Sequence, residues 1–144
     1  MEQKNKRRIF LVLLLLLIAF AGWYFIKGKK EVVEGVKLQG ITKITFRNPQ
    51  IRIWDYSAVD GDTIDFYFDD KLIFKNLGLE DSPKIYIPGK LTKGEHTIKI
   101  KGISEGMMGP ASPHISVSDG KEMFEFDIDA WKDSLSGSWT IIVN

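Results

Sequence analysis

Beyond about residue 40, apolar side chains recur at every second position. A chain written in that rhythm folds into strands that each bury one face. Ile44 and Phe46 alternate with Lys43, Thr45 and Arg47, and Ile51 and Ile53 with Arg52 and Trp54. Ile64, Phe66 and Phe68 share a face opposite Asp65, Tyr67 and Asp69. Leu72–Phe74 reads as a short return strand, Ile85 and Ile87 flank Tyr86, and Ile98 and Ile100 alternate with Lys99 and Lys101. Ile115 with Val117, then Phe124, Phe126 and Ile128, then Trp139, Ile141 and Val143 complete the series. Helical periodicity is nearly absent; the single candidate is one turn around Ala130–Leu135. Eight or nine short strands separated by turn signals, over about 105 residues, predict an all-β antiparallel sandwich of the immunoglobulin-like kind. A core of that size suffices without staples.

The N-terminus is written differently. Lys4, Lys6, Arg7 and Arg8 precede an unbroken apolar run, Ile9 to Ile26. Eighteen residues at ~1.5 Å each give roughly 27 Å of helix, enough to cross a bilayer core. Trp23 and Tyr24 fall where headgroup-level rings belong. The competing assignment is a signal peptide cleaved after Ala19-Phe20-Ala21, which would leave an apolar new terminus. The expected organisation is a cytoplasmic basic tail (1–8), a transmembrane signal anchor (9–26), a charged, glycine-dotted stalk (27–38) and a β-sandwich (39–144). The bulk of the chain is then extracytoplasmic, in the periplasm or at the cell surface.

Composition removes several functions. With 20 Lys plus Arg against 19 acids there is no electrostatic case for nucleic acid. With no cysteine there is no disulfide, thiolate metal site or cysteine nucleophile. The two histidines, His96 and His114, stand in no catalytic motif. The expectation is a chain that is not an enzyme.

Trp54-Asp55, then Val59-Asp60-Gly61-Asp62-Thr63-Ile64, then Phe66-Tyr67-Phe68-Asp69-Asp70-Lys71-Leu72-Ile73 resembles an exported, envelope-associated bacterial β-sandwich module. That module carries W-D, D-G-D-T and a strand–Asn-Gly-Lys–strand hairpin in this order. The similarity extends through Leu91, Gly94–Ile98, the Glu105–Pro113 loop and Ile115–Gly120. Leu91–Ile100 also looks like the late strands of bacterial immunoglobulin-like domains. The resemblance implies an exported sandwich of no known catalytic activity; the partner expected for it is another envelope protein. Two departures stand out: Asp69-Asp70 replaces Asn-Gly, serving a left-handed turn less well, and Gly109–Pro113 lacks the pattern's double proline and asparagine.

Four candidate sites follow from the residues. Asp60, Asp62, Asp65, Asp69 and Asp70 could offer hard oxygens to calcium. Turn chemistry explains the same residues: Asp60-Gly61-Asp62 joins two strands, Asp69-Asp70 suits a two-residue hairpin loop, and Asp65 falls on a wet strand face. Trp54, Tyr67 and Tyr86 lie on the polar phase of three strands and would form a glycan- or peptide-binding platform if those strands are neighbours. Cross-strand aromatic pairs also stabilise sheets by about 0.2–1 kcal/mol without binding anything. Met107 and Met108, on a Gly- and Pro-bounded loop, suit a partner surface or plug the sandwich end. Lys99 and Lys101 form a basic rail and Glu125, Asp127 and Asp129 an acidic one; either the two strands are adjacent or the acidic rail meets another basic partner. The function expected is a membrane-anchored protein-interaction or envelope-assembly module, with a carbohydrate-binding module, calcium-assisted or not, as the alternative.

Overall fold

A computed structural model describes residues 35–56 and 59–144. The expected tail, anchor and stalk as far as residue 34 lie outside the described residues, and no described helix is long and apolar enough to cross a membrane. Nine strands follow one another: β1 Val36–Ile44, β2 Gln50–Trp54, β3 Asp62–Phe68, β4 Lys71–Gly78, β5 Lys84–Tyr86, β6 Gly94–Glu105, β7 His114–Ser118, β8 Met123–Asp127 and β9 Ser136–Val143. They form two sheets, ordered β1-β9-β6-β3-β4 and β5-β2-β7-β8. Every neighbouring pair is antiparallel except β1 with β9, which is parallel.

The two-residue rhythm does what it predicts. Ile44, Ile64, Phe66, Phe68, Ile98, Ile100, Ile141 and Val143 of the larger sheet are buried. They form one cluster with Ile51, Ile53, Ile115, Val117 and Phe126 of the smaller sheet. Each side chain so buried stabilises the fold by about 1.5–3 kcal/mol. Aromatic contacts bind the sheets face to face. Trp139 of β9 stacks on Phe126 of β8 at 4.2 Å, and Tyr86 of β5 meets Phe66 and Phe68 of β3 at 6.1 and 5.7 Å.

Three expectations change. The fold begins at Val36 rather than residue 39, because Val36–Leu38 already pairs with Ser136–Ser138. A register shift between Leu38 and Gly40 interrupts the alternation there. Gly40 leaves room for the Trp139 indole: a Cβ at this position would lie 2.5 Å from Cζ2 and Cζ3. The segment Ala130–Leu135 is a loop rather than a helical turn. In it the Trp131 N–H donates to the Leu135 carbonyl, the reverse of a helical bond, and Asp133 has a φ of 56°. The phase of β5 is also inverted. Tyr86 faces the core, while Ile85 and Ile87 are 49% and 66% exposed.

The hairpin reading holds. Phe68 pairs with Lys71, leaving Asp69 and Asp70 as a two-residue loop with φ of 49° and 60°. Positive φ at both central positions is the left-handed turn that matches strand twist.

Candidate functional site

Four connections meet at one end of the sandwich, and two of them carry the chemistry. β2 ends at Trp54, and Asp55 is placed by its N–H, which donates to the Glu80 carbonyl at 2.7 Å. Gly61, at a φ of 101°, turns the chain so that β3 starts at Asp62. Asp60 Oδ2 accepts the N–H groups of Met107 and Met108, both at 3.1 Å, pinning the β6–β7 loop to the β2–β3 loop. Asp62 Oδ2 takes the Ser112 N–H at 3.4 Å. Gly106, at a φ of 56°, admits the Asp60 carboxyl; a Cβ there would lie 2.6 Å from its Cγ.

One carboxylate oxygen each from Asp55, Asp60 and Asp62 lie within 4.8 Å of one another. Together with Met108, Gly109, Pro110 and Ser112 these residues line a cavity of about 240 Å³. Asp62 is 7% exposed, and its Oδ1, like that of Asp60, is buried without a hydrogen bond from the protein. Burial, and then the Asp60 charge, push the Asp62 carboxyl up to about 6, against the Ser112 N–H that pulls the other way.

The five aspartates between Val59 and Lys71 therefore separate. Asp60 and Asp62 stay together and gain Asp55. Asp65 is not on a wet face: it is buried and accepts the Asn76 N–H at 2.7 Å, where Asn76 has a φ of 50° in β4. Asp69 and Asp70 sit at the far end of β3, about 20 Å away at ~3.3 Å per residue. Asp69 takes the Thr97 N–H at 2.9 Å on Oδ1 and His96 Nδ1 at 2.7 Å on Oδ2. Asp70 pairs with Lys99 at 3.0 Å. Turn and strand chemistry accounts for these three.

The expected platform of Trp54, Tyr67 and Tyr86 does not assemble. Tyr67 lies on the outer face of the larger sheet, its ring 4.9 Å from Lys99 Nζ. Tyr86 is in the core, and Trp54 belongs to the smaller sheet. A different aromatic group forms around Trp54. His114, its partner across the β2–β7 ladder, meets the indole edge-on at 4.6 Å and stacks on Tyr56 at 4.8 Å. His114 Nδ1 lies 2.6 Å from Asp127 Oδ1 and its Nε2 3.9 Å from Glu125. The two charge rails are not neighbours, because β6 and β8 are in different sheets, and Glu125 and Asp127 of the acidic one face the His114 ring. Asp129 is instead held by the Ser112 hydroxyl at 2.7 Å. Sequence reasoning missed Asp55, Tyr56 and His114. The i, i+2 spacing of Trp54 and Tyr56 was the available signal.

Met107 and Met108 are 84% and 74% exposed, so neither plugs the sandwich. Tyr56 at 75% and Val59 at 57% are exposed on the β2–β3 connection that Asp60 ties to them.

At the opposite end an open cavity of about 390 Å³ is lined by Asp69, Lys71, Tyr86, Lys90, Thr92 and His96, among others. Burial raises the Tyr86 hydroxyl, helped by the Asp69 charge. Burial pulls His96 down, but the Asp69 hydrogen bond, the Thr92 carbonyl and the Asp69 charge outweigh it and hold the imidazole above its ordinary value.

No family model matches this chain, and no curated protein or solved structure matches it either.

Proposed function

We propose that this chain is a non-catalytic binding module, held at a membrane by residues 9–26, whose immunoglobulin-like sandwich engages an envelope protein outside the cytoplasm. The carrying observation is the pair Met107 and Met108. Both side chains stand in solvent, while both backbone N–H groups are fixed by a single carboxylate, that of Asp60. An apolar, adaptable surface on a pre-positioned backbone loses little conformational entropy on association. Tyr56 and Val59 are exposed too, on the connection that Asp60 ties to the same loop. The basic flank and apolar run at the N-terminus, with the resemblance of Ile51–Gly120 to exported modules, support the extracytoplasmic placement.

A photo-crosslinking residue in place of Met108, introduced into the full chain in intact cells, tests the reading. The expected result is a discrete adduct with one envelope protein, absent when the same probe replaces Lys71 at the other end of β3. Equal labelling from both ends, or none from Met108, would refute it.

A second reading, a glycan-binding module, is favoured by the exposed Tyr56 ring stacked on His114 beside Trp54, with two carboxylates adjoining. Sugars would then shift tryptophan fluorescence, and Tyr56→Ala would abolish the shift. A spectrum unmoved by a broad glycan panel would exclude it.

A further inference from the structure

We propose that Asp55, Asp60 and Asp62 hold one calcium ion at the loop end of the sandwich, whether or not the Met107–Met108 loop meets a partner. On Asp60 and Asp62 alike, Oδ2 is engaged by loop N–H groups, whereas Oδ1 is buried and receives no donor from the protein. A buried acceptor left in that state is costly, and two of them on neighbouring anions are more so. Asp62 is more than nine-tenths covered, so solvent does not relieve it. Asp55 brings a third carboxylate to the same 240 Å³ cavity, and among the described residues its lining contains no lysine, arginine or histidine. Three acids converge there, and on two of them one oxygen is buried without a hydrogen bond.

The donor set selects the ion. All three side chains are hard oxygen ligands, with no imidazole or thiolate, which disfavours zinc and copper. Two ligands across a calcium ion are up to about 4.6–5.2 Å apart, against about 4.0–4.2 Å for magnesium. Donor atoms within 4.8 Å of one another fall inside the span of a calcium shell. Calcium also accepts an irregular shell of 6–8 oxygens completed by water. The division of each carboxylate between metal and loop N–H is the second-shell arrangement that orients ligands. The ion would thereby stiffen the β2–β3 connection, whose Asp60 and Asp62 hold the β6–β7 loop through its N–H groups.

The test uses the full chain in detergent micelles, stripped with a chelator and titrated with calcium chloride alone. Heat of binding is followed directly, and terbium luminescence sensitised by Trp54, the neighbour of Asp55, serves as a second readout. We expect one ion per chain, a raised melting temperature, and affinity weakened at least about tenfold in Asp55→Asn and Asp62→Asn. Asp70→Asn, at the far end of β3, should bind as the parent does. Asp55→Asn keeps the test usable should Asp62→Asn fail to fold. No heat and no terbium signal up to about 5 mM, beyond the weakest extracellular calcium modules, would overturn the proposal. So would binding that Asp70→Asn weakens as much as Asp62→Asn does.

Discussion

Replacing Gly40 by alanine adds one methyl group at a place where the fold has none to spare. Gly40 does not have a positive φ, so an alanine backbone is tolerated and the effect isolates packing. The new Cβ would stand 2.5 Å from two carbons of the Trp139 indole, more than 1 Å inside a normal carbon contact of about 3.5–4.0 Å. The ring must move. It is held by the stack on Phe126 at 4.2 Å and by Nε1, which donates to Thr42 Oγ1 at 2.9 Å. Overpacking costs about 1–3 kcal/mol. Loss of the stack adds about 0.5–1.5 kcal/mol and loss of the hydrogen bond about 1 kcal/mol. Removing a strand glycine returns about 0.5–1 kcal/mol. The net expectation is destabilisation of about 2–4 kcal/mol, a large part of the 5–15 kcal/mol that holds a domain together. Denaturant unfolding followed by far-ultraviolet circular dichroism measures it. The control is Trp139→Phe, whose shorter ring leaves the methyl space; in that background Gly40→Ala should cost less than about 1 kcal/mol, giving a clear coupling energy. Equal costs in both backgrounds would refute the steric account.

Other outcomes follow from single contacts. In the turn, Asp70→Gly should stabilise by about 0.5 kcal/mol, because it relieves a left-handed residue and loses only an exposed ion pair. Asp69→Gly at the adjoining position should destabilise by about 1–3 kcal/mol, since it abandons both the Thr97 N–H and His96; thermal melts of the two variants should move in opposite directions. His96, flanked by Asp69 and the Thr92 carbonyl, binds its proton more tightly folded than unfolded. Its stabilisation is complete below the ordinary 6.5 and is lost as pH rises through the higher folded value, so the melting temperature should fall across that window and His96→Gln should flatten the fall. Met107→Ser with Met108→Ser should leave stability within about 0.5 kcal/mol in a thermal melt, because both side chains are exposed.

The strands were legible in the sequence where alternation was long enough to have one solution. Ile64-x-Phe66-x-Phe68 and Ile98-x-Ile100 could face only inward, and both do. A three-residue strand gives no such guarantee. In Ile85-Tyr86-Ile87 either phase reads as apolar-in, and the choice is made by Phe66, Phe68 and Phe74, which leave a space shaped for a ring. β1 was read partly as stalk because its alternation is broken at the Leu38–Gly40 register shift and three of its apolar side chains, Val36, Leu38 and Ile41, remain exposed. The site was half legible. Asp60 and Asp62 are marked by D-G-D, but Asp55 joins them through a connection anchored on Glu80, and nothing local announces that tie. The distance between Asp62 and Asp69 was also readable, since seven strand residues cannot bring their ends together.

The parallel pairing of β1 with β9 has a mechanical consequence. The chain enters this pair where Val36 lies beside Ser136 and leaves it where Ile44 lies beside Val143. Tension applied between Gly35 and Asn144 would therefore drag the two strands lengthwise past each other, loading their cross-links together. The opposite geometry, a hairpin pulled from its open end, would rupture one rung at a time.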